Sequence, residues 1–203
     1  MLKTTKKFNF TKKHLRSIAV FLSAIILAIS GWAAFKISNF PFYFCLQNFF
    51  VIFFAAIWGA TSGCAVTGLV LIAGVLGAPI FAHGGHGLEY LKGISGGFLI
   101  GYFFAAMLTG YMVGKSNIEE KVPFNKIFSA CLGGFLLIYV FGIYHFMAVK
   151  GLKFNSTFFK MLDLIGIKWY FLGDAIKLVI CSISAYFLRP ICTKYFYDEN
   201  ELQ

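Results

Sequence analysis

Residues 37–88 read ISNFPFYFCLQNFFVIFFAAIWGATSGCAVTGLVLIAGVLGAPIFAHGGHGL, and between Lys36 and Glu89 there is no Asp, Glu, Lys or Arg. At about 1.5 Å per helical residue, this stretch is long enough to cross a ~30 Å hydrocarbon core twice. Midway, Gly59-Ala60-Thr61-Ser62-Gly63 interrupts it, which forces a tight antiparallel hairpin between spans over 41–58 and 64–81. Composition agrees, with 59% hydrophobic and 13% charged residues. A soluble domain is about half apolar and a quarter charged, so a water-facing surface cannot be built from this supply. The chain is membrane-embedded.

Outward from the hairpin, the pattern predicts a first span over 15–35. Its basic start and the small residues Gly31 to Ala34 imitate a signal peptide. The apolar run is longer than a signal-peptide core, however, and more spans follow, so the helix is read as retained. Further spans are expected over 96–114, 127–149 and 169–192, the last opened by Trp169 and Tyr170 at the membrane–water interface. The expectation is an all-α membrane protein: six transmembrane helices over 15–192, a basic tail over 1–14 and a short tail over 193–203. Six spans put both ends on one side. The N-tail, the Lys115–Lys126 loop and the C-tail, with Arg16 and Arg189 at the adjoining span ends, carry eleven Lys and Arg, the opposite side six: Lys36, Lys92, Lys150, Lys153, Lys160 and Lys168. Both termini are therefore expected in the cytoplasm.

The net charge of +10 owes much to Lys3, Lys6, Lys7, Lys12, Lys13 and Arg16. Basic residues just before an apolar run anchor a helix against an anionic inner leaflet, and no polar fold follows that could present them to nucleic acid. The five cysteines are odd in number and scattered through apolar runs, which reads as small apolar side chains and not as a disulfide framework. Gly114-Lys115-Ser116 has the end of a phosphate-binding loop, but the earlier glycine position holds Thr109 and a transmembrane helix precedes it, so no nucleotide site is read. His83 and His86 flank Gly-Gly in a loop, with His145 distant. They lack the i, i+4 placement and intervening Glu of a zinc peptidase helix, and neither metal nor other cofactor is expected.

Two clusters carry chemistry. Gly173-Asp174-Ala175-Ile176-Lys177 puts a carboxylate and an ammonium three apart, on one helix face, deep in the last span. Ionisable residues at that depth are costly and mark a functional site by default, a structural ion pair being the alternative. From Gly74 to Gly101 glycine is dense, implying close backbone packing and irregular backbone that must be buried by protein or line a cavity. Gln47 and Asn48 are polar groups in the second span, suited either to bundle packing or to a solute. Ala24 and Ala28 stand four apart in the first span, a spacing that lets helices approach closely.

Gly77-Ala78-Pro79-Ile80-Phe81-Ala82-His83-Gly84 through Gly93-Ile94-Ser95-Gly96-Gly97-Phe98 closely resembles the signature of the BioY biotin transporter family. Pro41-Phe42 with Leu46-Gln47, and Gly173-Asp174-Ala175-Ile176-Lys177, resemble two further family elements in the same order. The resemblance covers roughly residues 17 to 190. Ile94-Ser95 stands where the family has Pro-Thr, keeping the hydroxyl and losing the ring, and His83 stands at a usually small position. The resemblance implies a substrate-binding S component of an energy-coupling factor (ECF) transporter in a bacterial cytoplasmic membrane. Such a subunit binds biotin and hands over to a transmembrane coupling subunit and two ATPase subunits, which some members dispense with. It implies Asp174, Lys177, Ser95, Gly96, Gly97, Phe81 and Gln47 as biotin-binding, and the Ala24, Ala28 face as a docking surface for the coupling subunit. A thiamin or riboflavin carrier is the sister reading, and an intramembrane metal-dependent enzyme is the more distant one.

Overall fold

The computed structural model describes residues 11–35, 44–114, 121–153 and 167–197. Lys36, Pro41-Phe42, Lys115, Lys160, the side chains of Lys168 and Trp169 and the outer parts of both tails, all used above, lie outside what is described. In chain order the elements are α1 (Lys12–Ser30), β1 (Ala34–Phe35), β2 (Phe44–Cys45), α2 (Gln47–Val75), a 3-10 turn (Ala82–Gly84), α3 (Gly87–Lys92), α4 (Gly96–Val113), α5 (Phe124–Lys150) and α6 (Ile167–Phe196). The two short strands pair antiparallel, Ala34 with Cys45 and Phe35 with Phe44.

Helix α2 is the expected hairpin, and it turns more sharply than its sequence suggests. Only Gly59 leaves helical geometry (φ 78°, ψ −179°), so Thr61 to Gly63 already belong to the second arm. The arms, 47–58 and 60–75, lie against each other. A Cβ on Gly63 would sit 2.7 Å from the Cα of Ala55, and the Gln47 amide donates to the Ile80 carbonyl at 2.7 Å. Among the described residues, five helices are long and apolar enough to cross a membrane. Because α2 is folded double, the bundle has six membrane segments.

The arms are short, roughly 18 and 24 Å against a ~30 Å core. The first begins at Gln47, not Pro41. The second stops at Val75, not Phe81, since Gly77 takes a positive φ (109°) and Pro79 cannot continue the helical hydrogen bonding. Helix α3 forms within the glycine-rich stretch where only loop was expected.

The first arm is the centre of the bundle: Val51, Ile52, Ala55 and Ala56 are fully buried. Around it pack Val66 and Val70 of the second arm, Ala105 of α4, Ile138 of α5 and Cys181 of α6. Outer faces carry exposed apolar side chains such as Ile29, Leu136, Val140 and Ile180, as a lipid-facing surface requires.

The start of α1 and the end of α6 lie at one end of the bundle. The Lys12 ammonium donates to the carbonyls of Lys194 (3.5 Å) and Tyr197 (3.2 Å), and the Arg16 guanidinium stacks 4.6 Å from the Tyr197 ring centroid. At the same end Arg189 is buried and donates to the carbonyls of Ala56, Ile57 and Gly114. These belong to the C-termini of the first arm and of α4. Helix ends leave such carbonyls unpaired and partly negative, and a guanidinium between two of them meets both needs.

Gly59→Ala tests the turn. The nearest atom to an added Cβ is the Gly114 carbonyl at 3.9 Å, so space is available and the penalty is backbone strain alone, about 1–3 kcal/mol. The expected outcome is a lower unfolding midpoint in detergent. Gly68→Ala, helical and with only Phe103 at 3.8 Å, should be neutral or slightly stabilising.

Candidate functional site: a polar-floored cavity

At the end away from the termini, β2, both helix starts at Gln47 and Gly96, the late turns of α5 and the early turns of α6 leave a cavity of about 830 Å³, part of it open to solvent. Its walls are mostly apolar and aromatic, including Phe44, Phe98, Ile143, Phe146 and Tyr170. Asp174, Lys177, Asn48, Gln47, Tyr139, Tyr102 and Ser95 supply the polar groups.

Asp174 and Lys177 are buried, while Ala175 and Ile176 between them face outward; helical periodicity turns one pair in and the other out. The Lys177 ammonium donates to Asp174 Oδ1 at 2.8 Å, to the Cys45 carbonyl at 2.8 Å and to Asn48 Oδ1 at 3.1 Å. An ammonium has three N–H groups, and all three are engaged by protein. Asp174 Oδ2 accepts from the Tyr139 hydroxyl at 2.6 Å and from the Asn48 amide at 3.0 Å. A carboxylate offers about four acceptor sites, which leaves one, on Oδ1. The Lys177 ammonium also lies 3.7 Å from the Phe44 ring centroid, a cation–π contact. Gly173 makes that contact possible, since a Cβ there would lie 2.5 Å from the Phe44 ring. All three fixed positions of Gly173-Asp174-x-x-Lys177 thus have a physical task at one site.

The cavity brings together Asp174, Lys177, Ser95 and Gln47 from the sequence reading, and three others of that reading lie outside it. Phe81 is fully buried and packs against Gly74, whose missing side chain leaves room for the ring. Gly96 and Gly97 are buried where backbones meet: a Cβ on Gly96 would strike the Leu91 carbonyl, and one on Gly97 the Phe141 carbonyl and His145. These three hold the loop and α4 in place and do not touch the cavity. Gln47 lines the cavity, with one of its two amide N–H groups committed to the Ile80 carbonyl.

Ala24 and Ala28, the residues expected to form a docking face, lie on the inner side of α1. Ala24 is buried and Ala28 half-buried against the core, on the side of α1 that packs on α2, while Phe21, Leu22, Ile25 and Ile29 face outward. Close helix approach within the bundle is what the small residues serve. Of the histidines, His145 contacts the Gly93 carbonyl through Nε2 at 3.0 Å, tying the loop before α4 to α5.

The sequence reading missed Tyr139, Tyr102, Phe44 and the Cys45 carbonyl. Tyr139 and Tyr102 are two among ten tyrosines with no distinguishing spacing.

The sequence pattern of the BioY family matches residues 4–194. The chain belongs to the BioY family. A biotin transporter BioY of Rhizobium etli is 28% identical over 172 residues, covering 82% of this chain and 88% of that protein. A biotin transporter BioY of Rhodobacter capsulatus is 32% identical over 143 residues, covering 69% and 75%. In fold, the chain is similar to the crystal structure of the S-component for biotin from an ECF-type ABC transporter. The TM-score is 0.75 at 20% identity, over 90% of this chain and 98% of that one.

The closed Asp174–Lys177 network predicts a stability pattern. Lys177→Met leaves the buried carboxylate without its cation and should cost on the order of 3–5 kcal/mol. Asp174→Asn with Lys177→Met removes both charges and should recover most of that loss, read as thermal unfolding midpoints in detergent.

Proposed function

We infer that this chain takes up biotin across the cell membrane, as the biotin-binding transmembrane subunit of an ECF-type transporter. The observation that carries the reading is the cavity of this BioY-family bundle, apolar-walled and floored by the Asp174 network. Biotin presents a ureido ring with two N–H donors and one carbonyl, an apolar bicyclic body and a carboxylate tail. The remaining lone pair of Asp174 and those of the Tyr139 oxygen accept from the ureido N–H groups. Bonds to an ionised acceptor in a dry site are the strong ones. Phe44, Phe98, Phe146 and Tyr170 enclose the apolar body. Lys177 acts through Asp174 and Asn48, holding them in place with every one of its own N–H groups engaged.

The charge bias of the loops supports an orientation with both termini in the cytoplasm and the cavity toward the outside, where biotin is captured. A transmembrane coupling subunit and two ATPases complete the proposed assembly. The likeness to an ECF S-component fold supports them as partners. Family and relatives are transporters, so the work of the site is binding and release.

The test is equilibrium binding of labelled biotin to the detergent-purified chain. One biotin per protomer is expected, without nucleotide and unaffected by chelators, and thiamin or riboflavin in hundredfold excess should not compete. Asp174→Asn should weaken binding about ten- to a hundredfold, the value of a charged hydrogen bond of about 1.5–3 kcal/mol. Displacement by thiamin or riboflavin, or a requirement for metal, would refute the reading.

A further inference from the structure

Among the polar side chains of the cavity, Tyr102 differs from the rest. It sits on α4 about two turns beyond Ser95 and is only 9% exposed, and it lines the cavity. Among the described residues its hydroxyl has no hydrogen-bond partner. The ionisable groups around it are Cys45, Tyr90, Asp174 and Tyr139. Buried polar groups are almost always paired, and a buried hydroxyl left without a partner is destabilising. A phenol kept in that condition beside a ligand cavity is a group whose partner arrives with the ligand.

The donors point to the ligand atom: Asn48 and Gln47 each have one amide N–H already held by protein, whereas the single O–H of Tyr102 is wholly unengaged. On the proposed biotin reading, on which this inference rests, the ureido N–H groups find acceptors in Asp174 and Tyr139. The ureido carbonyl needs a donor, and the nearest cation cannot serve, because all three N–H groups of Lys177 are held by Asp174, Cys45 and Asn48. The Tyr139 proton is likewise committed to Asp174. Ser95 is half-buried and nearer the loop end, roughly 10 Å from Tyr102 along the helix axis. We propose that the Tyr102 hydroxyl donates to the ureido carbonyl oxygen of biotin and is a specificity-determining residue for the head group. Lys177 is then a positioning residue.

The hydroxyl can be deleted without changing the ring. Purified wild-type and Tyr102→Phe chains are compared for binding of biotin and of 2-thiobiotin, whose thiocarbonyl is a poor acceptor, together with ligand-free unfolding midpoints. Expected is a loss of biotin affinity of about five- to a hundredfold in Tyr102→Phe. The wild-type preference for biotin over 2-thiobiotin should shrink by a similar factor. The ligand-free midpoint should be unchanged or raised, because no protein partner is stranded. Biotin binding within twofold of wild type overturns the assignment. So does a weakened variant that keeps the full preference against 2-thiobiotin, or a loss of affinity accompanied by a lowered ligand-free midpoint. A wild-type chain that binds no biotin overturns the functional reading itself, a result distinct from all of these.

Discussion

The contact between the Lys177 ammonium and Asp174 Oδ1, 2.8 Å long, lies where water is scarce, and each ion moved there costs several kcal/mol of hydration. Mutual attraction offsets that only if the remaining lone pairs and protons also find partners. The rest of the site follows from this condition. Asn48 both accepts from Lys177 and donates to Asp174. The Cys45 carbonyl is held toward the ammonium by the short ribbon, Phe44 covers the cation with its ring face, and Tyr139 completes the carboxylate. Groups from four separate segments converge because leaving any one of them out would strand a buried charge or donor.

The same constraint acts at the opposite end. The turn at Gly59 ends the first arm of α2 abruptly, and Arg189 of α6 takes up the carbonyls of Ala56 and Ile57 there. Lys177 and Arg189 therefore hold the two ends of one central helix, each from α6, some 18 Å apart along that helix. The first arm begins beneath the ligand cavity and finishes at the end carrying the termini, so its position fixes where Asn48 meets Asp174. Steric fit assists: the small faces of α4 and α1 let neighbouring helices come close, and the first arm has no route to shift sideways.

Much of this architecture was legible because lipid makes few patterns possible. A charge-free run twice the length of a span, broken by glycines, can only be a hairpin, and an Asp–Lys pair at helical spacing in an apolar segment can only face inward. What failed to read has one cause. Glycine, alanine and phenylalanine serve packing and ligand contact equally well, so Phe81, Gly96 and Gly97 looked like site residues and Ala24 and Ala28 like a docking stripe. Which use applies depends on what stands opposite, namely Gly74, Leu91, His145 and α2. Tyr139 is the converse case: its hydroxyl matters only because α5 places it 2.6 Å from Asp174, a relation between helices that no single-helix periodicity encodes. Arg189 has its acceptors only because the break at Gly59 frees the carbonyls of Ala56 and Ile57.

A network closed without ligand has consequences for selectivity. Asp174, Asn48, Tyr139 and Lys177 hold one another in fixed geometry, so binding does not have to order them, and less of the interaction energy is lost to immobilising side chains. What remains open is a narrow set of valences, an acceptor at Asp174, the lone pairs of the Tyr139 oxygen, one amide N–H of Asn48 and the hydroxyls of Tyr102 and Ser95, set in aromatic walls. A ligand that matches them gains bonds in a dry site. One that offers a donor where a donor already stands leaves two buried groups unmet, and sites built on hydrogen bonds reject such molecules far more strongly than apolar pockets reject a misfit in size. Discrimination among vitamins of similar bulk then comes from the order of donors and acceptors on the head group, and the aromatic walls contribute affinity that is largely indifferent to it.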